Sequence, residues 1–241
     1  MTFGVPNLTT ALQGPLLQLE AHLLQHQTQV ETWLRQQWLE TPAPFYASVD
    51  LRNSGFKLAP VDTNLFPAGF NNLNPAFMPL CIQAVQAAVE RTCPRAKKVL
   101  IVAENHTRNL FYLESLEMLR SVFEQAGIEA RIGSIRDDLA DATVVELPSG
   151  SKCLLEPLER VGDRVALGDY SPCLVLLNND LSAGRPSILE GLEQQLSPPL
   201  AAGWSTRKKS DHFDHYQSVA ELFAEQIGID PWLVSPMSLQ C

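Results

Sequence analysis

The chain has 241 residues, 45% of them hydrophobic, and a formal net charge of −9. That length can bury one large core or two modest ones, and the acidic balance argues against a nucleic-acid backbone or an anionic membrane as main partner, because both need clustered positive charge. The start of the chain has neither a basic nor an apolar leader pattern, and no apolar run approaches the ~18 residues of a membrane span, so a soluble, cytoplasmic protein is expected. Five cysteines without a CxxC spacing read as reduced, mostly buried thiols.

In chain order, residues 15–40 read as one helix. Leu16, Leu19, Leu23, Val30, Trp33 and Leu34 fall on one stripe, with Pro15 in the first turn and Pro42 just beyond the end. His22 and His26 are four apart, but no third ligand has supporting spacing, so a polar helix edge is the plainer reading. Residues 45–51 suggest a strand. The rest of 45–79 lacks a helical period and crowds Arg52, Asn53, Lys57, Asp62, Asn64, Asn71 and Asn72 among aromatic residues. Long loops inside a compact domain are often functional; an irregular loop with Phe66 and Phe70 tucked inward is the alternative.

Residues 79–92 predict an amphipathic helix with Leu80, Ala84, Val85, Ala88 and Val89 inward. A strand at 98–103 then leads through Glu104-Asn-His-Thr-Arg-Asn109 into a helix whose stripe is Leu110, Leu113, Leu116, Leu119, Val122 and Phe123, closed by Gly127. With 128–135 as the next strand, this is a βαβ unit, and a parallel sheet follows. Residues 142–147 and 152–155 flank Pro148-Ser-Gly150 as a hairpin. A short edge strand is expected at 165–167 and a strand at 173–177, followed by Asn178-Asn-Asp180. A helix is expected at 187–196, and a last helix, capped by Ser210 or Asp211, ends near Gly228. The fold class is α/β: N-terminal helices, then a Rossmann-like, mainly parallel sheet. The division runs 1–95 for a helical and substrate-loop region and 96–241 for the α/β domain.

Two strands therefore end in polar clusters, where open α/β sheets bind ligands. The segment 104–109 contains no glycine, so it cannot lay bare backbone on a pyrophosphate as a dinucleotide fingerprint does, and no GxxxxGK[ST] occurs. It offers side chains instead. Arg108 suits a carboxylate, Asn105 and Asn109 give neutral hydrogen bonds, and Glu104 can anchor an ammonium group: the chemistry of holding an amino acid, and equally of capping a helix. Asp211-His-Phe-Asp-His215 could ligate a metal, but a polar helix start explains it as well, and no metal site is expected. Arg207-Lys-Lys209 is a solvated loop or a clamp for a small anion.

The strings Glu104-Asn-His-Thr-Arg-Asn109 with Tyr112-Leu113, Leu176-Leu-Asn-Asn-Asp-Leu-Ser-Ala-Gly184, Pro198-Pro-Leu200 with Gly203-Trp204, Arg207-Lys-Lys-Ser-Asp-His-Phe213 with Tyr216, and Ile227-Gly-Ile-Asp-Pro-Trp232 resemble a proteobacterial family of glutamate-cysteine ligases. The resemblance implies an enzyme that uses ATP and Mg2+ to join glutamate and cysteine as γ-glutamylcysteine, the first step of glutathione synthesis. ATP phosphorylates the γ-carboxylate of glutamate, and the cysteine amine attacks the acyl phosphate; such chemistry depends on positioning and on positive charge at the phosphoryl group. It also implies kinship with ATP-grasp ligases, whose amino-terminal α/β domain helps bind substrate. Family members are longer, and their nucleotide-binding stretch lies beyond residue 241, so the expectation is an amino-terminal portion lacking the ATP clamp and inactive alone.

By position in the sequence, Arg52, Lys57 and Arg108 are the expected carboxylate contacts. Asn64, Asn71 and Asn105 orient the substrate, Glu104 and Asp180 take its ammonium group, and Arg207 and Lys208 approach the γ-carboxylate or phosphate. Asn53, Asp62, Asn72, His106, Asn178, Asn179 and His212 complete the candidate set. The alternatives are a non-catalytic α/β module for an amino acid or small carboxylate, and a nucleotide-sugar transferase domain suggested only by Asn179-Asp180.

Overall fold

In the computed structural model, which describes residues 14–105 and 109–236, the apolar runs become strands and the striped segments helices. His106, Arg108 and Cys241 lie outside the described residues. Chain order gives helices α1 (Pro15–Gln25) and α2 (Gln27–Glu40), strands β1 (Ser48–Asn53) and β2 (Leu58–Asn64), helix α3 (Met78–Thr92), strand β3 (Lys98–Ala103), helix α4 (Leu110–Gln125), strands β4 (Glu129–Ser134), β5 (Thr143–Glu146), β6 (Lys152–Pro157), β7 (Glu159–Val161), β8 (Arg164–Ala166), β9 (Leu174–Asn178) and β10 (Gln195–Ser197), and helix α5 (Lys209–Ile227). These fall into two units: one holds residues 14–43, 49–64 and 208–236, the other 44–48, 65–105 and 109–207.

The second unit is built on a six-stranded sheet of order β10-β9-β3-β4-β6-β5. Every neighbouring pair is parallel except β5 with β6. β3 and β9 are central and read as unbroken apolar runs because both their faces are covered. Val99 and Ile101 pack with Leu113, Leu116, Leu119 and Phe123 of α4 on one face. Leu100 and Val102 pack with Phe66, Leu177, Leu181 and Leu189 on the other. Each such fully buried side chain contributes about 1.5–3 kcal/mol, so the registers Val99↔Leu174 and Ala103↔Asn178 are firmly set. α4 is capped at its start by the Asn109 side chain, which accepts the Phe111 N–H at 3.0 Å. Gly127, at φ +81°, turns the chain out at the other end.

The first unit gathers Leu16 and Leu19 of α1 with Leu58, Ile229 and Leu233. Its β1 and β2 form a separate two-stranded sheet. His22 Nε2 donates to the Ile227 carbonyl at 2.6 Å, satisfying one of the carbonyls left open at the end of α5.

Several expectations are corrected. The single helix at 15–40 is broken at His26, whose Nδ1 bonds the His22 carbonyl at 2.8 Å; a side chain competing for the ladder bends a helix. The expected loop at 45–79 contains β2, which Pro60 had masked as a strand. The edge strand near 165 belongs not to the main sheet but to a small β7–β8 pair. The helix at 187–196 is a single 3-10 turn, Ser187–Leu189, followed by β10; Gly191 sits between them at φ +62°, incompatible with helix. The last helix begins at Lys209, with Lys208 rather than Ser210 or Asp211 at its cap position. Leu80 and Leu110 are exposed, since each lies in the first turn of its helix, at the rim of the core. Of the cysteines, Cys153 alone among the described residues is buried; Cys81 and Cys93 are half-buried and Cys173 exposed, all free thiols.

Candidate functional site

The carboxyl ends of β3 and β9 lie side by side, with Ala103 paired to Asn178, and the polar clusters that follow them meet. Asn179 is the staple. Its side-chain amide donates to the Ala103 carbonyl at 3.2 Å and to Asn105 Oδ1 at 3.3 Å, while its own Oδ1 accepts the Leu181 N–H at 3.0 Å. Asp180 Oδ1 accepts the Ser182 N–H at 2.9 Å, and the Asp180 carbonyl accepts the Trp204 N–H at 2.9 Å. Leu181 adopts φ +56°, a left-handed backbone uncommon outside glycine. It is held there by burial, with Gly203 so close that an added Cβ would stand 2.6 Å from the Leu181 Cβ.

Two tyrosine hydroxyls lock the strand ends from behind. Tyr112 Oη accepts the Glu104 N–H at 3.0 Å and donates to the Asn178 carbonyl at 2.7 Å. Tyr46 Oη donates to the Leu177 carbonyl and accepts from Asn178 Nδ2 at 3.3 Å. Burial pushes the Tyr112 phenol well above its ordinary value, opposed by the hydrogen bond from the Glu104 N–H and reinforced by the negative charge of Glu104 and Asp180. Both hydroxyls therefore stay protonated.

Asn178 also donates to the Pro67 carbonyl at 2.7 Å. Ser115 of α4 accepts the Gly69 and Phe70 N–H groups at 2.9 and 3.1 Å. Together these bonds fix the 3-10 turn Phe70–Asn72 beside the strand ends. Glu104 consequently lines two spaces. One, of about 90 Å3, is walled by Glu104, Asn105, Asn179, Asp180 and Ser182. The other, of about 450 Å3, is walled by Glu104, Asn71, Asn72, Asn109 and Tyr112. The carboxylates and amides of these walls, beside Gly184 in the first and Gly69 in the second, suit the ammonium and polar groups of an amino acid.

The sequence-derived candidates thus divide. Asn71, Asn72, Glu104, Asn105, Asn179 and Asp180 line these spaces. Asn178 lies behind them, 1% exposed, as a structural anchor whose Oδ1 has no hydrogen-bond partner. Arg207, in the same unit, stacks its guanidinium 4.9 Å over the Trp204 ring. The remaining described candidates belong to the other unit. Asp62 pairs with Lys209 Nζ at 2.9 Å, and His212 Nε2 bonds Thr63 Oγ1 at 2.6 Å. Lys57 is buried along its stem, with its ammonium 4.7 Å over Trp232. Asn53 Oδ1 accepts the Gly55 N–H at 2.8 Å, Arg52 and Lys208 are exposed, and Asn64 ends β2. Tyr46, Ser115 and Gly203 were not expected in this role. A hydroxyl inside an apolar stripe, as Ser115 is, was the available signal.

Among the described residues no helix is long and apolar enough to cross a membrane, and no three His, Cys, Asp or Glu side chains gather to hold a metal ion.

Polar side chains thus converge at the ends of parallel strands, the place where open α/β sheets carry ligand crevices. Comparison with known families matches residues 20–241 to glutamate-cysteine ligase. A similar solved structure, at 1.90 Å, is that of a protein from Methylobacillus flagellatus KT provisionally assigned as a γ-glutamylcysteine synthetase. It is 58% identical, with a TM-score of 0.90 over 97% of this chain and 55% of that one. No curated protein matches. The chain belongs to the glutamate-cysteine ligase family, and spans 55% of the length of that solved relative.

Proposed function

We propose that this chain supplies the amino-acid-binding part of a cytoplasmic, ATP-dependent glutamate-cysteine ligase, with its substrate site at the carboxyl ends of β3 and β9. The observation that carries this reading is the shared wall formed by Glu104, Asn105, Asn179 and Asp180, supported by the family match. Glu104 and Asp180 receive the substrate ammonium group. Asn71, Asn72 and Asn105 orient the remainder of the molecule, and Tyr112 and Asn179 brace the main chain on which Glu104 and Asp180 stand.

Positioning of this kind lowers the barrier to amide formation by fixing the amine and the γ-carboxylate in reacting geometry. Mg2+ and ATP supply phosphoryl activation in the family's reaction. The role assigned to the described residues is that of holding the amino acid.

Titration calorimetry of the 241-residue chain with L-glutamate and with L-cysteine tests this reading. Saturable binding is expected for one of the two, weakened about tenfold or more by Glu104→Gln and by Asp180→Asn, each removing a charge-assisted hydrogen bond worth about 1.5–3 kcal/mol. Binding that both variants leave intact would overturn the assignment.

A further inference from the structure

Among the described residues the two-stranded sheet has an open edge: β1 pairs with β2 alone, and every residue from Val49 to Asn53 is exposed, including two large apolar side chains, Val49 at 52% and Leu51 at 54%. The Ser54 N–H donates to the Lys57 carbonyl at 3.1 Å across the turn, so Ser54 faces β2. Main-chain groups alternate along a strand. Asp50 and Arg52 therefore face β2, while Val49, Leu51 and Asn53 point their N–H and C=O groups out of the sheet. Such an edge is a template for a further strand, and proteins blunt it with short strands, charged side chains (lysine above all), proline or a bulge. β1, Ser-Val-Asp-Leu-Arg-Asn, has no proline or lysine.

Its charges are self-complementary. When two copies of this strand run antiparallel about a two-fold axis beside Leu51, Leu51 faces Leu51, Val49 faces Asn53, and Asp50 of each copy faces Arg52 of the other. One face of the joined ribbon then carries a stripe of four aliphatic side chains, counting Val49 and Leu51 twice, and the other carries two opposite-charge pairs of the kind that stabilises cross-strand contacts. Any other register brings the Asp50 and Arg52 side chains out of opposition. A closed two-fold contact of this kind uses one patch twice and needs no second surface.

We propose that β1 docks edge to edge with β1 of a second copy of this chain, forming a four-stranded ribbon across a two-fold dimer. Arg52, a carboxylate contact in the sequence reading, then pairs with Asp50 of the other copy.

Sedimentation velocity of the 241-residue chain over a dilution series tests this directly. A reversible species of twice the 26.7 kDa chain mass is expected. Leu51→Pro removes an N–H that points out of the sheet and leaves the β1–β2 bonds in place, a position where proline is tolerated. It should give a monomer with unchanged circular dichroism. Asp50→Arg should weaken the dimer about tenfold or more, through two repulsive pairs, and Asp50→Arg with Arg52→Asp should restore it. A wild-type chain that sediments as a monomer throughout would overturn the proposal. So would a dimer indifferent to both Leu51→Pro and Asp50→Arg.

Discussion

Tyr112 bridges the ends of two strands to Asn178: its hydroxyl donates to the Asn178 carbonyl at 2.7 Å while accepting the Glu104 N–H at 3.0 Å. Tyr112→Phe keeps the ring in the core and leaves both main-chain groups without that partner. The expected cost is about 1–3 kcal/mol, the penalty of orphaned buried polar groups. Urea unfolding reads it as a lower midpoint at unchanged slope. Because the Glu104 main chain is released at the same time, amino-acid affinity should fall as well.

Gly203 has an ordinary backbone, so its requirement is space. A Cβ there would lie 2.6 Å from the Leu181 Cβ, closer than van der Waals contact allows. Gly203→Ala must push back the turn that carries Asp180, whose carbonyl the neighbouring Trp204 N–H holds. Overpacking of this kind costs about 1–3 kcal/mol. Thermal unfolding should show the loss, and calorimetry should show weakened amino-acid binding. Gly150→Ala, in open space at φ +82°, should strain only its local turn and leave binding untouched.

Alkaline stability has a defined sign. Burial raises the phenol pKa of Tyr46, Tyr112, Tyr170 and Tyr216 above the ordinary value of 10.0. Burial, with Glu117 adding to it, pushes the Cys153 thiol from 9.0 up to about 12. The unfolded chain loses these protons first, so it binds fewer protons than the folded chain at high pH. The contribution to stability is whole below pH 9 and drains away as pH rises through 9 to 12 and beyond. Tyrosine ionisation followed at 295 nm should coincide with loss of circular dichroism rather than precede it. Alkylation at neutral pH should label exposed Cys173 and spare Cys153.

The fold was legible where packing and local pattern agree. β3 and β9 are apolar throughout because both faces are covered, and the stripe of α4 repeats at helical spacing. Legibility failed where the same spacing had two meanings. Leu189, Leu192 and Leu196 fit a helix, yet they pack onto the sheet from a turn and a short strand once Gly191 reverses the backbone. β2 was hidden by Pro60, although its partner β1 overlaps the strand expected at 45–51. At the site, the polar residues after β3 and β9 stood out because no turn requires them. The hydroxyls that brace them did not, because Tyr112 and Ser115 sit within an apolar helix stripe and act only on segments distant in sequence.

Asn179 offers the sharpest test of that bracing. It is 7% exposed, and its amide nitrogen serves two acceptors, the Ala103 carbonyl and Asn105 Oδ1. Asn179→Asp changes almost no volume but replaces the donor with an acceptor facing two oxygens, in a place already bounded by Glu104 and Asp180. Burying an unpaired carboxylate beside like charge costs more than losing the hydrogen bonds, so the aspartate variant should be destabilised by about 3 kcal/mol or more. Asn179→Ala, which removes the group outright, should lose about 1–3 kcal/mol. The order of the two in urea unfolding at neutral pH separates an electrostatic brace from simple space filling. Acidification should narrow the gap, as the new carboxyl protonates and regains a donor.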